Sequence, residues 1–211
     1  ALPIYFSFTD SELTQRIKND YNDVVTYCYN EYHLKPLQQM AEKHGMNIRY
    51  QVAYNKPMEV ETSALSVGIP EGEGLNRATL DNLRMMASAV HMTDKQIYSF
   101  EAAAEFGNAN GQSYEDMAWW LKRSWAAGMN RQVLHGASYS GVWEDGTLNG
   151  FFDGATWPGW SGFSGFISND WNRNTSEENA GSYIEYFSRY NYIMQKESKI
   201  DVAVYRHTYE D

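Results

Sequence analysis

Four apolar, β-prone runs break off into polar, glycine-rich or aromatic stretches: NIRYQVAY, ETSALSVGIPEGE, IYSFEAAAEF and RQVLHGASY. Segments of helical patterning separate them. That alternation constrains the fold more than any other feature, because strand–helix–strand units in series build parallel sheets with helices packed outside. The third run places Glu101 directly after Ile97-Tyr98-Ser99-Phe100. A carboxylate there sits at the C-terminal mouth of a strand, where (β/α) barrels carry their chemistry.

The segment from about Ser11 to His44 reads as a long helix, with Ile17, Tyr21, Val24, Val25, Cys28, Tyr32, Leu37 and Met40 at helical spacing. Pro36 is expected to kink or divide it, and Gly45 to terminate it. Strands are predicted at Asn47 to Tyr54, Glu61 to Ile69, Gln96 to Ala102 and Arg131 to His135, and Pro70 to Gly74 reads as a turn. Helices are predicted at Leu75 to Val90, Tyr114 to Ala127 and Glu177 to Gln195, with a short strand at Ile200 to Tyr205. Residues 1–200 then form part of one (β/α) barrel domain, and 201–211 begin a following segment. Four units make half of an eight-stranded barrel. Open parallel edges are avoided in natural folds, so these strands are expected to pair with the rest of their own barrel.

The 211 residues carry 17 Lys and Arg against 27 Asp and Glu, a net charge of −10. Nucleic-acid binding needs clustered cations, which argues against such a partner. No run of about 18 apolar residues is present, so no membrane partner is expected. Ala1-Leu2-Pro3 reads as a chain entered mid-domain, without a signal-peptide pattern. The single cysteine, Cys28, forms no internal disulfide and reads as a small buried side chain on the first helix.

Aromatic residues make up 15% of the chain, including 16 Tyr and 7 Trp. A core seldom needs so many amphipathic rings, so some are expected to stack on a ligand. Trp143, Trp157, Trp160 and Trp171 fall without periodicity in one Gly-, Ser- and Asn-rich stretch, whereas Trp119, Trp120 and Trp125 fit helical spacing and at least two should be core. Tyr54, His135, Trp143, Trp157 and Trp160 are the candidate substrate-binding residues. Carboxylates beside such rings point to sugar chemistry. Glu71, Glu73 and Glu101 are the candidate catalytic acids. Glu71 and Glu73 are two residues apart in an extended stretch and share a face, where like charges call for a cation or a proton. Glu59 and Glu61 share a face at the opposite end of the second run and read as structural or solvated, with a distal site role open. No HxH or HExxH pattern accompanies His135, and no GxGxxG, P-loop or nucleophile elbow occurs.

Several stretches in order resemble glycoside hydrolase family 106, the α-L-rhamnosidases: NEYHLKPL from Asn30, YQVAY from Tyr50, IPEGE from Ile69, SFE from Ser99, AGMN from Ala127 into LHG at Leu134, WPGW from Trp157 and DVAVYR from Asp201. The series runs from about residue 12 to 207. The resemblance implies a catalytic (β/α)8 barrel of which this chain carries roughly the fifth to eighth strands. It also implies inverting hydrolysis of terminal α-L-rhamnosides on plant-type or complex glycans, an oligosaccharide or polysaccharide substrate, and a secreted or periplasmic address. A calcium ion that helps hold the sugar is implied as well, and Glu71 and Glu101 are the candidate metal ligands. The family's general acid would lie on a strand before Ala1. Asp10 and Glu12 do not replace it, because TDSE opens a helix. Two rivals remain open: a carbohydrate-binding protein without catalysis, and a barrel hydrolase using metal-assisted chemistry on another substrate.

Overall fold

A computed structural model describes residues 12–52, 58–73, 79–105, 112–135, 177–196 and the isolated positions 199, 201, 202 and 204. The chain begins with helix α1, Glu12–Tyr29, which runs through a π turn at Asn30–Leu34 into α2, Lys35–Glu42. The π turn is the physical answer to Pro36. Proline offers no N–H and crowds the carbonyl four residues back, so the helix widens just ahead of it, and the Lys35 N–H bonds to the Asn30 carbonyl five residues earlier. The helix is continuous through the proline. It ends at Gly45, which adopts φ 69°.

The core of the fold is a parallel sheet in the order β1-β2-β3-β4. Its strands are Arg49–Tyr50 (β1), Ile69–Glu73 (β2), Ser99–Ala102 (β3) and Arg131–Leu134 (β4). Parallel pairing, order and the third and fourth strands follow the sequence expectation. The second strand does not. Residues Val60–Leu65 form helix α3, and the strand is Ile69–Glu73, the stretch expected to turn. Pro70 and Gly72 are strand-poor residues, but the tertiary structure uses both. Pro70 is fully buried. At Gly72 an added Cβ would lie 2.6 Å from Met129 Cε and 3.1 Å from the Tyr98 hydroxyl, so a side chain there would have to displace the Met129 tip and crowd Tyr98. In α3, Ser63 and Ala64 are buried, as is Val67 just beyond its end, and this burial outweighs the β-branched composition of the run. Glu59 and Glu61 accordingly lie at the start of a helix, not of a strand.

Between β2 and β3 the expected single helix is two, α4 at Leu80–Met85 and α5 at Ala87–His91. Helix α6, Tyr114–Ala126, opens with a reciprocal Ser113–Asp116 capping box, and α7 spans Glu177–Met194. Of the expected strand at 200–205, the described residues 201, 202 and 204 are not in a strand; the rest lies outside the described residues.

Alternation divides the sheet into two unlike faces. Tyr50, Phe100, Ala102 and Leu134 pack with Leu83, Met86, Leu121, Trp125 and Met129 in one apolar core between sheet and helices. Trp120 and Trp125 are buried as expected, while Trp119 is exposed. Cys28 is exposed, against expectation, because α1 turns Thr14 and Thr26 inward and leaves Leu13, Val24 and Tyr27 outside.

Two buried amides align the strand beginnings. The Gln38 side-chain carbonyl accepts from the backbone N–H of Gly68 at 2.8 Å and of Ile48 at 3.2 Å, tying α2 to the approaches of β1 and β2. Asn130 Oδ1 accepts from the Tyr98 N–H at 2.9 Å, and its Nδ2 donates to the Gln96 carbonyl at 2.8 Å, which sets β4 beside β3.

Two outcomes test this packing. Gly72→Val forces a branched side chain into Met129 and Tyr98 and is expected to lower stability by about 1–3 kcal/mol or more in chemical denaturation. Burial raises the Tyr98 phenol far above the ordinary tyrosine value, and its hydroxyl donates to the Leu83 carbonyl at 2.6 Å. The ionised phenol therefore belongs to the unfolded chain, and this stabilising term is full below about pH 10 and falls as pH rises beyond it. Tyr98→Phe should be about 1 kcal/mol less stable at neutral pH and lose less than the unaltered chain above pH 10.

Candidate active site

The polar face of the sheet is built by the odd-numbered residues of each strand. Register places Glu71 beside Ser99, Glu73 beside Glu101, and Arg131 and Val133 beside Ser99 and Glu101 in turn. Gln51 follows β1 immediately, and His135 follows β4, so both reach the same C-terminal mouth. Glu71 and Glu73 are thus strand residues and not a turn pair, and they share a face because of the strand's period of two.

The side chains converge. Gln51 Nε2 lies 3.4 Å from Glu71 Oε1 and 3.3 Å from Glu73 Oε2, and it donates to Glu101 Oε2. His135 Nε2 stands 4.0 Å from Glu101 Oε1, an ion-pair distance when the imidazole is protonated. Glu71 is the most enclosed of the three carboxylates. Its Oε2 accepts from the Ser99 hydroxyl at 2.6 Å and faces Arg49 Nη1 at 3.1 Å, and its side chain is 7% exposed. Glu101 retains 29% side-chain exposure and Glu73 is likewise only partly buried, so both remain more open to a ligand than Glu71.

This division gives the carboxylates different chemical capacities. Glu71 has its charge met by a guanidinium and its lone pairs occupied by three donors, which suits a structural anion and not a base. Glu101 and Glu73 face each other across one strand spacing, roughly 4.8 Å. Immediately after Glu101 the chain turns through Ala103 at φ 70°, a left-handed conformation costly for a residue with a Cβ and of the kind found beside functional sites.

Calcium takes six to eight oxygen ligands. Glu71 is already engaged, and among the described residues no group of three or more His, Cys, Asp or Glu side chains is placed to hold a metal ion. The described donors alone therefore do not make up a calcium site.

Of the residues singled out in the sequence, Glu71, Glu73, Glu101 and His135 come together in one cluster. Tyr54, Trp143, Trp157 and Trp160, with Trp171, lie outside the described residues. Three members of the cluster were not singled out: Arg49, Gln51 and Ser99. The alternation within RYQV and YSFE carries the signal, since each polar residue is flanked by one that faces the core.

No family profile and no curated protein sequence matches the chain. A solved structure described as a rhamnosidase from Novosphingobium sp. PP1Y shares the fold, with a TM-score of 0.64 at 14% identity over 86% of this chain. The chain spans 17% of the length of that protein. At this identity the likeness is one of fold.

Arg49→Ala should leave the enclosed Glu71 carboxylate without its cation. The expected cost is about 1–3 kcal/mol in urea denaturation, with Arg49→Lys recovering part of it.

Proposed function

We propose that the chain carries the water-activating side of a glycosidase site in a (β/α)8 barrel, and that it acts on terminal α-L-rhamnosides with inversion. The observation that carries this reading is the convergence of Glu71, Glu73 and Glu101 on one face of parallel strands, with Glu73 and Glu101 toward their C-terminal ends. The fold shared with a protein described as a rhamnosidase supports the choice of sugar.

In an inverting reaction one carboxylic acid protonates the leaving oxygen while a carboxylate on the other face of the ring activates water, the two standing about 6.5–9.5 Å apart. Glu101, partly exposed at the end of its strand, is proposed as that base, with Glu73 beside it holding a sugar hydroxyl or exchanging roles with it. Glu71 keeps the surrounding charge and geometry constant. His135 is positioned to donate to a sugar hydroxyl near Glu101. The general acid is proposed to come from a strand N-terminal to those described, and barrel closure to come from the same part of the protein. Calcium assistance is a separate part of the proposal: the ion would need ligands beyond the described residues, and a gain in melting temperature on adding calcium to chelator-treated protein tests it.

The deciding experiment assays an activated aryl α-L-rhamnoside with the protein extended at its N-terminus and with residues 1–211 alone. The longer form should turn over and release the inverted anomer, and Glu101→Gln should lower kcat by about 10²–10⁴-fold. Undiminished turnover by Glu101→Gln would remove Glu101 as the base. Sugar binding without turnover by the longer form would make the protein a carbohydrate-binding module instead.

A further inference from the structure

Gln51 is the one neutral side chain in reach of all three carboxylates among the contacts described above. The groups facing it come from every strand: Arg49 from its own, Glu71 and Glu73 from β2, Ser99 and Glu101 from β3, and His135 beyond β4. Arg49 is directed at Glu71, and His135 approaches Glu101 from the far side at 4.0 Å. Gln51 therefore joins the two carboxylates that face each other across the β2–β3 seam. Its amide nitrogen has two hydrogens for three acceptors, so it works as a shared donor between strands and not as the partner of one residue.

The choice of an amide has a chemical consequence. A lysine at this position would also bridge the carboxylates, but it would cancel one negative charge. A glutamine orients them and leaves the charge intact, which a site facing an oxocarbenium-like transition state requires. We propose that Gln51 is a positioning residue of the site: its amide holds Glu73 and Glu101 together against their mutual repulsion without neutralising them. The role in catalysis rests on the glycosidase reading; the role in holding the carboxylates does not.

The test is a double-mutant cycle on the 211-residue chain, using Gln51→Met, which keeps the shape and removes the donor, and Glu73→Gln, which removes one of the facing charges. Loss of a hydrogen bond to a charged group should raise the unfolding equilibrium constant by about tenfold to a hundredfold in Gln51→Met at low salt. Two features separate repulsion from lost packing. The effect should shrink at about 0.5 M salt, where screening is strong, and it should shrink again in the Gln51→Met, Glu73→Gln double variant. If Gln51→Met does not fold, Gln51→Asn, whose amide is one methylene short, runs through the same cycle. Additive costs that ignore salt, or no cost in Gln51→Met, would overturn the proposal.

A second arm uses the longer, active form. There Gln51→Met should lower kcat by about tenfold to a hundredfold with KM nearly unchanged, and Gln51→Lys should stay folded yet fail to restore kcat. Restoration by lysine would overturn the argument from charge. No turnover by the unaltered longer form would remove the glycosidase reading and leave the stability cycle to judge Gln51. Turnover together with an additive cycle would remove Gln51's role and leave the glycosidase reading standing.

Discussion

The parallel register of β2 against β3 is the constraint on which the site depends. With Glu71 opposite Ser99 and Glu73 opposite Glu101, a period of two sends every core residue of these strands one way and every charged residue the other. A slip of one residue would put Glu101 among Met86, Leu121 and Met129, where an unpaired carboxylate is far too costly to bury. Apolar packing and charge solvation therefore select the same register, and that register brings the acids together.

Short strands cannot hold such a register by ladder hydrogen bonds alone; β1 is two residues long and β3 and β4 are four each. Side-chain amides supply what the ladders lack. Gln38 ties the backbone ahead of β1 to that ahead of β2, and Asn130 ties β3 to β4, both in buried positions where an amide replaces strand hydrogen bonds almost atom for atom. On the polar face of the sheet the connections run between side chains, through Arg49 and Ser99 at the strand starts and Gln51 beyond the end of β1. The amides at the start are satisfied by backbone and fix geometry. Those at the mouth meet carboxylates, so geometry and charge become the same variable.

Three carboxylates in one cluster repel, and the fold offsets this unevenly. Glu71 receives a cation, a hydroxyl and burial; Glu101 receives an amide and keeps solvent access. Chemically similar residues two positions or one strand apart thus acquire different capacities from their neighbours alone. Gly72 sits between Glu71 and Glu73 for an unrelated reason, the space taken by Met129 and Tyr98 on the other face. The E-G-E pattern records two constraints on one strand: charge on one side and little free space on the other.

Local sequence was sufficient for the strand–helix alternation, the third and fourth strands, the strong helices and the place of Glu101 near the end of a strand, because each rests on short-range periodicity or on position at the end of an apolar run. It also marked Glu71, Glu73 and His135 as residues of interest. Tertiary structure alone decided that IPEGE is a strand and ETSAL a helix, since Pro70 and Gly72 make sense only against the residues packed over them and Ser63 and Ala64 only when buried. It decided that Cys28 faces outward, because the inner face of α1 is set by what lies beneath it. Arg49, Gln51 and Ser99 likewise became site residues through register: nothing within 20 residues of Gln51 reveals three carboxylates, and strand pairing brings Glu71, Glu73 and Glu101 to its amide. Periodicity is a property of a segment, whereas the electrostatic partner of a side chain is a property of the strand next to it.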